Sequence, residues 1–291
     1  MKPAPFQYHR VTDLSEATAL LAGLENVRLL SGGQSLMPMM NLRYVAVDHL
    51  IDLNPVAELS GIEIEDTQVR MGAMTRQRTV LDSDALAARA PIFREALAFV
   101  GHIQTRNRGT IGGSLAHMDP AAELMGLAAL LNARITVARH DAERYVAIAD
   151  YVRGYMTPDI EPDEVLASVM FDLWPAGHGW DFREFAQRHG DFAIVGVGTL
   201  LDLADDGRVA RAALVLIGVD EGPVRLFDVE TMLAGEKPTE ALFRAAGDMA
   251  AKRDMSEDAL VSADYRKHLT SVLVERSLAQ SCRRAKEGGN A

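Results

Sequence analysis

The chain has 291 residues, 48% apolar and 24% charged, a composition that suits a globular protein and lies far from those of disordered or fibrous chains. Its formal net charge of -11, with basic residues scattered among acids, argues against a nucleic-acid partner. The single cysteine, Cys282, excludes an intrachain disulfide and a thiolate-held iron-sulfur cluster, and the absence of a secretion segment or of a run near the ~20 apolar residues that span a bilayer predicts a cytoplasmic protein without membrane insertion.

At roughly 150 residues per domain the length predicts two domains. The first opens as a small α+β unit: a capped helix over 13–21, an apolar strand over 27–30, the pair Gly32-Gly33, and a strand over 49–53. From Ile62 the pattern turns to alternation, with Ile62, Ile64, Val69 and Met71 around Glu65-Asp66, which predicts a hairpin. Helical periodicity covers 78–86 and 91–100, and a polar stretch, 102–109, leads into a second glycine pair, Gly112-Gly113. Pro120 suits the first turn of a helix running to about 131. Strand-like runs at 134–139, 145–148 and 165–171 complete a mixed sheet.

Pro and Gly between apolar runs at 174–179 mark a linker. The predicted division is therefore a domain over 1–176, with subdomains of about 1–58 and 59–176, and a second over 177–291. In the latter, apolar strands at 194–203 and 212–218 flank the turn Asp205-Asp206-Gly207, and helices over 239–279 are expected on one face of a three-stranded sheet.

Two segments carry the chemistry: Ser31-Gly32-Gly33-Gln34-Ser35-Leu36 and Thr110-Ile111-Gly112-Gly113-Ser114. Each sets adjacent glycines between an extended stretch and a helix, where backbone N–H groups can hold phosphate oxygens. Glycine permits positive φ and close approach of an anion, and the hydroxyls of Ser35, Thr110 and Ser114 add donors, so a pyrophosphate can be held without Lys or Arg. A single Gly-Gly before a helix is usually a plain turn; two of them suit the clamping of one extended dinucleotide between subdomains. Other motifs are poorer fits. Gly196-Val197-Gly198 lacks the last glycine of a Rossmann fingerprint and suits close strand packing, Gly33-Gln34-Ser35-Leu36-Met37 is not a hydrolase elbow, and His102, His117, Asp119 and Glu123 follow no common metal-ligand spacing.

The first segment continued through Met37-Pro38-Met39-Met40, and the second continued through Leu115-Ala116-His117-Met118-Asp119-Pro120-Ala121-Ala122-Glu123, resemble the two FAD signatures of the medium subunits of molybdenum hydroxylases, the carbon monoxide dehydrogenase, nicotine dehydrogenase and quinoline oxidoreductase type. Arg188-His189-Gly190-Asp191-Phe192-Ala193 resembles the segment that opens that family's C-terminal domain, so the likeness spans nearly the whole chain. The fold it implies is α+β: a two-subdomain FAD-binding domain of the vanillyl-alcohol-oxidase (PCMH) type, followed by a small α/β domain with a three-stranded antiparallel sheet.

The resemblance implies that Ser31, Gly32, Gly33, Gln34, Ser35 and Leu36, with Thr110, Ile111, Gly112, Gly113 and Ser114, bind the diphosphate and adenosine side of FAD. It places Ala116 and His117 near the flavin, and makes Glu123 and Leu166 further contacts. Two departures stand out: Ser114 where Asn is common, and Ala186 where some relatives carry Lys, with Arg188 as a compensating cation near the flavin. No catalytic side chain and no metal ligand is implied. Molybdopterin and two-iron two-sulfur clusters are expected on partner subunits, a large and a small one, in a dimer of heterotrimers, with an N-heterocyclic aromatic as first guess for the substrate of the complex. The alternatives are a scaffold subunit that has lost FAD and a stand-alone FAD oxidase.

Overall fold

The computed structural model describes residues 1–288, so the end of the expected second domain, 289–291, lies outside the described residues. The chain opens with strand β1 (Gln7–Arg10), helix α1 (Leu14–Gly23), β2 (Val27–Leu30), α2 (Leu36–Asn41) and β3 (His49–Asp52). Asp13 caps α1 by accepting the Glu16 N–H at 2.8 Å, satisfying one of the helix's orphan donors. The three strands form a parallel sheet with β3 in the middle, Ile51 facing Leu29 on one side and His9 on the other. This order leaves the C-terminal end of β2 free to run straight into Ser31.

The predicted hairpin forms as β4 (Ile62–Ile64) and β5 (Gln68–Gly72), in the register Ile62 to Met71 and Ile64 to Val69. Five short helices follow: α3 (Gln77–Asp82), α4 (Asp84–Arg89), α5 (Ile92–Phe99), α6 (Ile103–Arg108) and α7 (Ile111–His117), then α8 (Glu123–Leu130). The single helix expected over 78–86 is thus divided at Ser83, whose hydroxyl accepts from the Leu86 N–H and caps α4. The polar stretch 102–109 is largely the helix α6, and Pro120 sits in a turn ahead of α8 instead of in its first turn. Strands β6 (Arg134–Arg139) and β7 (Ala142–Ala147), the turn of helix α9 (Ile148–Tyr151), the two-stranded β8 (Val152–Gly154) and β9 (Thr157–Pro158), and β10 (Val165–Asp172) complete this part. Its sheet is antiparallel, in the order β4-β5-β10-β6-β7.

After Trp174 the chain forms β11 (Gly179–Ala186), β12 (Ala193–Leu203), β13 (Val209–Ile217), the two-residue β14 (Val224–Arg225), and helices α10 (Phe227–Leu233), α11 (Glu240–Ala250) and α12 (Ala263–Lys286). The three long strands make the expected antiparallel sheet, and β14 adds a fourth at its edge. Helices cover both faces, which corrects the one-faced expectation. Val195, Val197, Leu214 and Leu216 pack under α10, α11 and α12, whereas Leu200, Ala213, Val215 and Ile217 join the core that holds α5, α7 and α8. The alternation of the strand puts successive side chains into two different cores.

Glycines make that second contact close. A Cβ on Gly126 of α8 would stand 2.8 Å from Ile217, and one on Gly198 of β12 would stand 3.1 Å from Leu130, so Gly198 serves packing. Arg225 donates to the carbonyls of Ala129 and Leu130 and so caps the C-terminus of α8, while Arg284 on α12 donates to Glu95 on α5 at 2.7 Å. These contacts tie β14 to α8 and α12 to α5.

Candidate functional site

Where the parallel sheet, α7 and the β11–β12 turn converge there is a cavity of about 820 Å³, a size suited to a buried organic ligand. Ser31, Gly32, Gly33, Gln34, Ser35 and Leu36 line it from one side, and Thr110, Gly112, Gly113, Ser114, Ala116 and His117 from the other; Glu123 and Leu166 also reach it. Two of the residues singled out in the sequence do not. Ile111 is fully buried in the core and spends its N–H on the Thr75 carbonyl at 3.0 Å. Arg188 is 80% exposed at its side chain and pairs with Asp191 at 3.5 Å, and it is Gly190, Asp191 and Phe192 that line the cavity in its place.

The two glycine loops have different constructions. In the first, Gly33 takes φ +71°, a region that Cβ makes costly. Among the described residues, the N–H groups of Gly32, Gly33, Gln34, Ser35 and Leu36 have no hydrogen-bond partner, although they are consecutive and sit on a cavity wall. Gly32 is buried, Gly33, Ser35 and Leu36 are half-buried and Gln34 is exposed, so these donors are open to the cavity and available to an external acceptor. Ser35 leaves its hydroxyl uncommitted as well, since α2 has no side-chain cap.

The second glycine pair lies within the first turn of α7, not ahead of it, and its donors are consumed at home. Gly112 N–H donates to the Ala73 carbonyl at 2.8 Å, Gly113 N–H to the Thr110 hydroxyl at 3.0 Å, and Ser114 N–H to the Thr110 carbonyl at 3.2 Å. A Cβ on Gly112 would come within 2.5 Å of the Ala73 side chain. This pair therefore lets α7 press against other chain segments, and its contribution to a ligand is the Ser114 hydroxyl and the surface beyond it.

The loops are welded to each other. Ser31 Oγ and Thr110 Oγ1 are 2.5 Å apart, and a Cβ on Gly32 would stand 2.4 Å from the Arg108 carbonyl oxygen. Beneath them Arg76 donates to Arg108 O and to Asn54 Oδ1, and Asn54 donates to Ser31 O at 3.0 Å. Asp52, which accepts from Tyr8 and Asn54, is held below the usual carboxylate range by those hydrogen bonds, which outweigh the opposing effect of burial.

Several lining residues carried no motif. Gln77 is 5% exposed, lines the cavity, and leaves Oε1 buried without a partner among the described residues. Arg28 is the one Lys or Arg among the lining residues. Glu164 is pinned by Arg144 through two contacts of 2.7 Å, which hold its carboxyl below the usual range. Towards the other end burial lowers the His117 imidazole from its usual range against the opposing pull of Asp119, and burial with Glu184 nearby pushes the Glu123 carboxyl up to about 8. Periodicity does not announce an isolated polar residue such as Gln77; only the orphaned Oε1 reveals it. Among the described residues no group of three or more His, Cys, Asp or Glu is arranged to hold a metal ion, and no helix is long and apolar enough to cross a membrane.

This geometry accommodates a long ligand with an anionic centre: free N–H groups at the middle, apolar and acidic walls on either side. Comparison with known proteins agrees. Residues 4–174 match the profile of the FAD binding domain in molybdopterin dehydrogenase, and residues 180–281 that of the CO dehydrogenase flavoprotein C-terminal domain. The 6-hydroxypseudooxynicotine dehydrogenase complex subunit alpha of Paenarthrobacter nicotinovorans is 34% identical over 98% of this chain and 97% of its own. The carbon monoxide dehydrogenase medium chain of Afipia carboxidovorans is 34% identical over 98% of this chain and 100% of its own. The structure of quinoline 2-oxidoreductase from Pseudomonas putida 86 superposes with a TM-score of 0.93 at 32% identity, covering 98% of this chain and 99% of that one. The chain belongs to the family of FAD-binding medium subunits of molybdenum hydroxylases, and is an oxidoreductase component whose cofactor is FAD.

Proposed function

We propose that this chain relays electrons: it holds FAD close to an iron-sulfur cluster of a small partner subunit, and the electrons leave for an external acceptor, while a large partner holds molybdopterin and the organic substrate. The observation that carries the reading is the run of unpartnered N–H groups from Gly32 to Leu36 on the cavity wall, which suits the oxygens of a pyrophosphate. Bound FAD supplies the redox chemistry, and the chain supplies position, burial and electrostatics. In this reading the division at about residue 58 places one glycine loop in each of two subdomains, the Ser31 to Thr110 contact joins them, and the 177–291 domain closes the cavity through Gly190, Asp191 and Phe192.

The chain's own composition motivates a partner. Cys282 is buried on α12, and no second thiol exists to hold a cluster. The proposed assembly is a cytoplasmic dimer of heterotrimers. Its proposed substrate is an N-heterocyclic aromatic, in keeping with the names of the nicotine-derived and quinoline relatives.

The test is an absorbance spectrum of the full chain purified alone and from its native host, followed by acid release of the chromophore. The expected result is FAD in the chain, with iron-sulfur and molybdenum signals only in the native complex. A colourless chain that takes up no FAD would favour a scaffold subunit, and turnover by the lone chain would favour a free-standing oxidase.

A further inference from the structure

The segment 73–77, which leads into α3, is bound along its length to the second glycine loop. Ile111 N–H donates to the Thr75 carbonyl at 3.0 Å, Gly112 N–H to the Ala73 carbonyl at 2.8 Å, and Gln77 N–H to the Gly109 carbonyl at 2.9 Å, while Arg76 and Thr110 pair as an antiparallel bridge. From this segment the half-buried Arg76 reaches across to the first loop. One of its terminal nitrogens donates to Arg108 O, against which Gly32 is packed, and the other to Asn54 Oδ1.

Asn54 can face only one way. Its amide nitrogen donates to the Ser31 carbonyl at 3.0 Å and to the Asp52 carboxylate, and its amide oxygen accepts from the guanidinium. A turned amide would set oxygen against two oxygens and nitrogen against a cation. Asp52 is held in turn by Tyr8 and by the Asn54 backbone N–H at 2.9 Å. The Ser31 carbonyl and the Gly32 N–H belong to one trans peptide and point in opposite directions. Whatever fixes that carbonyl therefore fixes the first of the five unpartnered donors.

We propose that Arg76 is a positioning residue for the diphosphate of FAD: it sets the spacing of the two glycine loops and, through Asn54 and the Ser31 carbonyl, aims and polarises the Gly32 N–H. This rests on the cavity being the FAD site. Each link acts in the same sense. A guanidinium on the Asn54 oxygen makes the Asn54 amide N–H a stronger donor, and that donor on the Ser31 carbonyl strengthens the Gly32 N–H in turn. A cation is thus brought to bear on an anionic ligand by a residue that does not itself line the cavity. Lysine would keep the charge but offers one nitrogen where the guanidinium fork offers two.

The experiment is a double-mutant cycle on the FAD affinity of the flavin-free full chain, read by flavin fluorescence quenching, with Arg76→Met, Asn54→Ala and the two combined. Each single variant should lose about tenfold, the worth of roughly one hydrogen bond. The combined variant should lose about tenfold to thirtyfold, because both residues act on the same peptide. Arg76→Lys should recover part of the affinity. If the methionine variant does not fold, the cycle is run with Arg76→Lys, whose smaller loss should vanish in the Asn54→Ala background. Unchanged affinity in Arg76→Met, a lysine variant no better than the methionine one, or losses that multiply to about a hundredfold would overturn the linkage and leave the flavin reading intact. A wild-type chain that takes up no FAD would overturn both.

Discussion

The glycine loop after β2 and the glycine loop that opens α7 are almost the same phrase of sequence, a hydroxyl residue, two glycines and another hydroxyl, yet they are used in opposite ways. The first keeps its backbone donors free across five consecutive residues. The second spends them on Ala73 and Thr110 and uses the missing Cβ atoms to press α7 against the β-sheet and against Ser31. Glycine permits close approach, and what approaches, ligand or chain, is settled by which N–H groups the surrounding fold has already claimed.

The comparison breaks most severely at Gly32, where ligand loop and chain seam coincide. A Cβ there would lie 2.4 Å from the Arg108 carbonyl oxygen and 2.8 Å from Gly109 Cα, backbone against backbone with no side chain free to move aside. Gly32→Val should cost about 3 kcal/mol or more of folding stability and abolish FAD binding together. Thermal denaturation and flavin content after purification measure the two; a variant of normal stability and full flavin content would show that the loops do not depend on each other.

Gly33 and Gly113 sharpen the distinction. At Gly33, valine meets φ +71° and the movable ends of Leu30 and Met37 at 3.2 Å, a cost of about 1–2 kcal/mol, and it disturbs the course of the unpartnered N–H run. At Gly113, valine meets the Thr110 hydroxyl at 2.7 Å and Ser31 Oγ at 3.2 Å, breaking the cap of α7 and the weld between the loops for about 2 kcal/mol. FAD content should fall in both. In Gly33→Val the fall should exceed what the loss of stability explains, whereas in Gly113→Val it should track stability. Equal ratios of affinity loss to stability loss in the two variants would erase the proposed difference between the loops.

Gln77 separates ligand from fold in the other direction. Its Oε1 has no partner, so Gln77→Leu should leave the flavin-free chain as stable or slightly more stable, because an unsatisfied buried amide is removed. FAD affinity should nevertheless fall about tenfold, the value of roughly one hydrogen bond at 1.4 kcal/mol. Unchanged affinity, measured by flavin fluorescence quenching, would remove Gln77 from the site.

Much of this architecture was legible in the sequence because its signals are local. The Ile62–Ile64 hairpin arm and its partner alternate with period two, and the register follows that alternation. Both glycine loops reach the cavity, as do Glu123 and Leu166. What escaped depends on distant chain. The strand Gln7–Arg10 has no apolar alternation and exists because β3 pairs with it. The second face of the C-terminal sheet is covered by α8, some ninety residues earlier in sequence, and the glycines that permit this, Gly126 and Gly198, are silent until brought together. The free or occupied state of an N–H group is likewise a property of the folded backbone, and the Gly-Gly pair that the two loops share does not reveal it.

Arg188 tests the smallest expected effect. The sequence offered it as a cation near the flavin in place of the Lys that Ala186 replaces, but the β11–β12 turn directs it away from the cavity, with Asp191 at 3.5 Å as its ion-pair partner. An exposed pair of this kind contributes roughly 0–1 kcal/mol. Arg188→Ala should therefore change stability by less than about 0.5 kcal/mol and leave both flavin content and flavin potential at their wild-type values. A shift in potential without a change in stability would mean that the turn carries Arg188 to the ring in the assembled complex. In that case the charge balance of the site would be set by a residue that the isolated chain holds in solvent, and the contrast between its two glycine loops would describe only the phosphate half of the cofactor site.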